Sequence, residues 1–160
     1  MRGLKGQGAE RHGANVILRN LSIAALFLMV VAMLGLLATR SLFAHSPAAV
    51  VVQAAAVALM VWARLTFGLR SFHAAANPTK GGLVTTGPYR FIRHPIYTAV
   101  CLFGWAGVLS NWSAPAAGFG VLLLAGSIGR MLCEERLVLQ MYPEYRQYAR
   151  STKRMVPRVF

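Results

Sequence analysis

Two stretches of this chain concentrate the side chains that can do chemistry. The first reads Gly81-Gly82-Leu83-Val84-Thr85-Thr86-Gly87-Pro88-Tyr89-Arg90-Phe91-Ile92-Arg93-His94-Pro95-Ile96-Tyr97. Its glycines and prolines bend the backbone and leave amide N–H groups available, which suits a small anionic or polar ligand. Arg93 and His94 stand just before Pro95, a residue suited to open a helix, so their positive charge adds to that of a helix N-terminus. Tyr89 and Tyr97 add flat faces and hydroxyls. The second stretch is Arg130-Met131-Leu132-Cys133-Glu134-Glu135. On a helix, Arg130 and Glu134 share a face because they are four apart. A carboxylate at the end of an apolar run is costly unless it is paired or functional. Each stretch also has a plainer reading. The first can be an interfacial loop that anchors lipid headgroups, and the second a simple Arg130–Glu134 pair beside a solvated Glu135.

The elements that must position these residues belong in a membrane. The chain is 56% hydrophobic and only 13% charged, with a net charge of +13. Soluble domains are about one quarter charged. Nucleic-acid binding would need a soluble basic surface, whereas these Arg and Lys residues flank apolar runs, so a nucleic-acid partner is not expected. Anionic headgroups and the positive-inside bias account for the same charges. The only acids are Glu10, Glu134, Glu135 and Glu144. Cys101 and Cys133 show neither a CxxC pattern nor a histidine at ligand spacing, so no metal is expected either.

Four apolar runs fit spans at about 21–38, 47–63, 95–112 and 115–132, each near the length that crosses ~30 Å of hydrocarbon as a helix. Residues 1–19 are Gly-rich and basic, and are expected to form a flexible cytosolic arm ahead of one membrane domain over 20–160. All of the 17 Lys and Arg residues except Arg40 then fall on one side, which puts both termini in the cytosol. The third run is the shortest and competes with a shallow helical hairpin. Small residues such as Gly120, Gly126 and Gly129 in the fourth let helices approach closely. From Cys133 to Arg150 the steps between Leu137, Met141, Tyr145 and Tyr148 predict an amphipathic helix at headgroup level. The fold class is therefore all-α: an integral membrane helical bundle of about four transmembrane helices plus a C-terminal interfacial helix. High Ala and Arg usage points to a bacterial inner membrane.

The two chemical stretches also resemble the isoprenylcysteine carboxyl methyltransferase and phospholipid methyltransferase family of integral membrane enzymes. That family's signature is Arg-His-Pro-x-Tyr-x-Gly, an apolar stretch, then Glu-Glu; here Arg93-His94-Pro95-Ile96-Tyr97-Thr98-Ala99 precedes Glu134-Glu135. Leu83 to Tyr89 match an upstream Leu-Val-Thr-x-Gly-x-Tyr, and Glu144 to Tyr148 a downstream Glu-Tyr-x-x-Tyr. The departure is Ala99, where the family commonly has Gly. The resemblance implies S-adenosyl-L-methionine as cofactor and a lipophilic acceptor: an isoprenylcysteine-like carboxylate, a phospholipid amine or a thiol. It implies a cofactor-lining strip of Gly81, Gly82, Leu83, Val84 and Tyr89, continued by His94, Pro95, Ile96 and Tyr97. His94 would meet the cofactor's carboxylate and Glu134 its amino group, with Glu135 in support and Arg130 as the catalytic, acceptor-orienting residue. Sterol-type reductases, which bind NADPH, carry a similar Arg-His-Pro-x-Tyr segment and stand as the alternative.

Overall fold

The computed structural model describes residues 2–68 and 82–160, with side chains from Gly13 onward. Among them are five α-helices: α1 (Arg2–Ala38), α2 (Pro47–Phe67), α3 (Pro95–Ser110), α4 (Ala114–Met141) and α5 (Tyr145–Ser151). A 3-10 turn, Gly87–Arg90, precedes α3. Helix α1 lies along α4 and α2 along α3, and the two pairs meet where α3 touches α4.

Three helices are long and apolar enough to cross a membrane: Gly13–Ala38 within α1, α2 and α4, with 26, 21 and 28 residues. Helix α3 has 16 residues, about 24 Å at 1.5 Å per residue, and so falls short of ~30 Å of hydrocarbon. It ends at Ser110, two residues earlier than expected. Asn111 stops it by leaving helical geometry and donating Nδ2–H to the carbonyls of Phe43 (2.8 Å) and Gly107 (3.0 Å). Outward-facing Phe27, Leu34, Val51, Leu109 and Val121 are exposed, as only an apolar solvent tolerates at this density. The protein is an integral membrane helical bundle.

Two boundaries differ from expectation. Residues expected in a flexible arm are helical from Arg2, and Leu18 is buried with Cys133 and Leu137. The fourth span does not end at Leu132; α4 continues to Met141, carrying Glu134 and Glu135 within it. The expected single helix over 133–150 is instead split at Tyr142-Pro143. Proline lacks the N–H a helix interior needs and pushes the preceding residue out of the α region. Tyr142 accordingly sits at φ −126, ψ 90.

One end of the bundle collects the α1 N-terminus, the end of α2, the start of α3, the end of α4 and the whole C-terminal segment. This is the basic end, where both chemical stretches lie. The opposite end is closed by neutral hydrogen bonds. Gln53 donates to the carbonyls of Leu42 (2.7 Å) and Phe103 (3.0 Å) and accepts from the N–H of Ala44 (3.0 Å). Gly107 makes the closest approach, since a Cβ there would stand 2.4 Å from the carbonyl oxygens of both Ser41 and Leu42. Nothing lies within 4 Å of a Cβ at Gly118. Gly107→Ala is thus expected to destabilise the folded protein by about 1–3 kcal/mol, because rigid backbone must shift. Gly118→Ala should be neutral or slightly stabilising. Thermal unfolding of both variants in detergent checks the contrast.

Candidate active site

Helix α4 and the start of α3 build the centre of the site. Arg130 and Glu134, one turn apart on α4, pair at 3.3 Å between Nε and Oε1. Pro95 fixes the first turn of α3, which places Tyr97 opposite them. The Tyr97 hydroxyl donates to Glu134 Oε1 at 2.6 Å and accepts from Arg130 Nε at 2.8 Å. Arg130 also donates through Nη1 to the carbonyl of Ser22 at 3.3 Å, which joins α1 to the cluster. Residues from the two distant stretches therefore meet. Glu134 keeps a side-chain exposure of 26%, and its Oε2 makes no hydrogen bond among the described residues.

Glu135 has a different environment. Its Oε1 accepts from Arg93 Nε at 2.9 Å and lies 3.3 Å from His94 Nε2; its Oε2 accepts from Arg154 Nε at 3.0 Å. The Tyr145 hydroxyl adds a further bond to Oε1 at 3.3 Å. Arg93 and His94, whose charge looked available to an anion, are thus committed at least in part to a buried carboxylate. His94 stands beside Tyr97, with ring centroids 5.8 Å apart, so the His94–Glu135 and Tyr97–Glu134 contacts are neighbours.

The remaining expected residues fall around this centre. Pro95 is buried and Ile96 half-buried at the start of α3. Tyr89 is buried in the 3-10 turn, its ring 5.5 Å from that of Phe67 and its carbonyl accepting from the Tyr148 hydroxyl at 2.6 Å. Burial pushes the Tyr89 phenol up, Arg64 opposes that shift, and Glu134 adds to it. Tyr89 therefore lies within electrostatic reach of both charges and stays neutral. Gly82 holds a left-handed φ of +83, which glycine adopts without penalty. Leu83 and Val84 are half-buried in irregular backbone. Gly81 lies outside the described residues.

Sequence reasoning missed several contributors. Arg64 was not singled out in the sequence, and it acts on Tyr89 through its charge. Tyr145 and Tyr148 were taken for an apolar stripe, yet both hydroxyls turn inward. Burial, reinforced by Glu135, pushes the Tyr145 phenol up; burial pushes that of Tyr148 up to about 12. Only the Glu-Tyr-x-x-Tyr pattern hinted at these two. Arg154 reaches Glu135 because the chain folds back after α5, a feature with no periodic signal.

With this geometry in hand, a family model described as phospholipid methyltransferase matches residues 66–145, half of the chain. The chain belongs to the phospholipid methyltransferase family. The match runs from the end of α2 to Tyr145, and so takes in Tyr89, His94, Tyr97, Arg130 and both glutamates. The cobalt-zinc-cadmium resistance protein CzcN of Cupriavidus metallidurans is 38% identical over 81 residues, 48% of this chain and 36% of that protein. The nickel-cobalt-cadmium resistance protein NccN of Alcaligenes xylosoxydans xylosoxydans is 35% identical over 80 residues, 48% of this chain and 37% of that protein. The matched region thus spans little more than a third of these relatives. No solved structure matches the chain. Nothing in the comparisons supports the NADPH-dependent reductase alternative.

The two glutamates should separate cleanly by mutation. Glu135→Gln leaves Arg93 and Arg154 without their buried counter-charge, and is expected to cost about 3 kcal/mol of stability. Glu134→Gln, with its partner Arg130 still bonded to Tyr97 and Ser22, should cost about 1 kcal/mol. Thermal unfolding of the two variants side by side decides the matter; equal losses would contradict the division of roles.

Proposed function

We propose that this protein transfers a methyl group from S-adenosyl-L-methionine to a lipophilic acceptor at the cytosolic face of the bacterial inner membrane. Family membership supports methyl transfer to a lipid-like acceptor; the cofactor, the residues and the orientation are our reading of the site. The observation that carries it is Glu134: a partly exposed carboxylate with one oxygen fixed by Tyr97 and Arg130 and the other without a hydrogen bond among the described residues. A carboxylate so placed is suited to accept hydrogen bonds from a ligand's ammonium group.

When bound, S-adenosyl-L-methionine supplies an electrophilic methyl group on a sulfonium. The protein's part is then largely to position and to exclude water, because direct displacement by a carboxylate or thiolate needs no general base. Glu134 would hold the amino group. His94 and the loop amides around Gly82, Leu83 and Val84 would take the carboxylate, and Tyr89 and Tyr97 would line the cofactor. Glu135 acts by fixing Arg93 and His94, and Pro95 and Ile96 by setting the start of α3. Arg130, at the deeper end of the cluster, would orient the acceptor.

Calorimetry on the purified protein tests the reading. S-adenosyl-L-methionine and S-adenosylhomocysteine are expected to bind, and NADPH is not. Glu134→Ala should weaken that binding at least about tenfold, the loss of one charge-assisted hydrogen-bonding partner, while the helical circular dichroism stays unchanged. An unaltered affinity would refute the role given to Glu134. Incubation with a labelled methyl donor and lipid extracts then identifies the acceptor.

A further inference from the structure

The segment from Tyr145 to Phe160 is fastened to the loop ahead of α3 by a row of bonds. The N–H of Arg93 donates to the Lys153 carbonyl at 2.7 Å and that of His94 to the Arg154 carbonyl at 2.9 Å, around a parallel bridge between Ile92 and Lys153. Thr98 Oγ1 donates to the Met155 carbonyl at 2.8 Å. Arg93 Nη1 donates to the carbonyls of Ala149 (2.8 Å) and Thr152. With Tyr148 bonded to the Tyr89 carbonyl, this segment forms a wall of the loop that holds Tyr89, Arg93 and His94.

The hold on the segment comes from these bonds and from the contacts of Tyr145 and Arg154 with Glu135, and little of it from the segment's own helix. Helix α5 has seven residues, far below the length at which an isolated helix is stable. The buried members of the segment from Tyr145 to Phe160 are Tyr145, Thr152 and Met155. The outward side carries Arg146, Arg150, Lys153 and Arg158, all exposed, with Glu144 the nearby exposed acid. Like charges so close along a chain oppose its docking unless counter-charge is supplied. Exposed apolar groups stand among them: Val156, Val159 at 75% exposure, and Phe160, over whose ring the Arg154 guanidinium lies at 5.4 Å. This mixture follows the end of α4 and lies beside the start of α3. At headgroup depth cations meet phosphates while short apolar side chains enter the acyl boundary.

We propose that the segment from Glu144 to Phe160 binds anionic phospholipid headgroups of the surrounding bilayer, and that this contact clamps the loop carrying Tyr89 and His94 into its ligand-binding position. The second half of the proposal rests on the cofactor reading above. Headgroup phosphates neutralise the mutual repulsion of Arg146, Arg150, Lys153 and Arg158, so the docked segment is favoured, and the loop bonded to it is held with it.

The test uses the full chain in nanodiscs of neutral phosphatidylcholine, and in nanodiscs with roughly a third phosphatidylglycerol, a fraction that gives a strongly negative surface. Hydrogen exchange of the amides of residues 145–155 reports docking of the segment. Calorimetry with S-adenosyl-L-methionine reports the loop. Anionic lipid is expected to slow the exchange about tenfold and tighten the cofactor about fivefold, effects that shrink at high salt. Both should disappear in the triple variant Arg146→Gln/Arg150→Gln/Arg158→Gln, whose fold is checked by circular dichroism. Equal exchange in the two membranes would overturn the proposal, and slowed exchange with unchanged affinity would overturn the clamp. Should the cofactor bind in neither membrane while anionic lipid still slows exchange, the cofactor reading fails and the lipid contact stands.

Discussion

Consecutive residues on a helix point about 100° apart, and the site depends on that rotation at Glu134 and Glu135. That single step of about 100° along α4 sends the second carboxylate into a buried seam and leaves the first at its edge. In the seam, Glu135 draws Arg93 and His94 from the loop before α3 and Arg154 from the tail after α5. Those cations come from segments far apart in sequence, so a single buried anion ties loop and tail to the same helix. Without it, Arg93 and Arg154 would face each other uncompensated in a setting where desolvated charge is expensive. Tyr97, Arg130 and Glu134 then find each other on a frame already fixed.

The spans were legible because lipid imposes a simple demand: every backbone polar group must be satisfied within the segment, and the side chains facing hydrocarbon must be apolar. Hence 21–38 and 47–63 fall within α1 and α2. The end of α4 was not legible by the same rule. At Cys133 the composition turns from apolar to charged, which marks the edge of the lipid and not the edge of the helix. Arg, Glu and Leu are good helix formers, so α4 continues until Pro143 forbids it. Proline was the visible signal, and composition obscured it. At the other end, Gly3, Gly6 and Gly8 in a basic stretch read as flexible, yet the helix runs back to Arg2.

The site divides in the same way. The two stretches were readable from residue types and order, and Tyr97, Arg130 and Glu134 do meet. Which glutamate pairs with which cation was not readable, since two identical neighbours differ only in their rotation about an axis that tertiary packing sets. His94, expected to meet a ligand's carboxylate, contacts Glu135, a pairing that no spacing in the sequence announces. The tail was the least legible part. Its folding back is specified by backbone bonds between residues 92–94 and 153–154, which any sequence can make, and by Arg154, one of many arginines in the segment.

Under the function proposed above, the charges of the site favour a zwitterion over a simple anion or cation. Arg130 faces Glu134, which offsets one charge and, among the described residues, leaves one carboxylate oxygen without a donor. Around Glu135, Arg93 and Arg154 exceed the single negative charge they surround, so the neighbouring His94 lies on the positive side of the cluster. A ligand with ammonium and carboxylate on one carbon presents opposite charges a few ångströms apart, and could meet Glu134 with one and the His94 side with the other. Such a ligand adds little net charge at the edge of a low-dielectric layer, where a lone ion would lose most of its solvation. Placing the opposed charges at the ends of α3 and α4, where the apolar layer stops, keeps that pairing possible without burying it in hydrocarbon. In the same proposal, a lipid-borne acceptor approaches from the apolar side, toward Arg130.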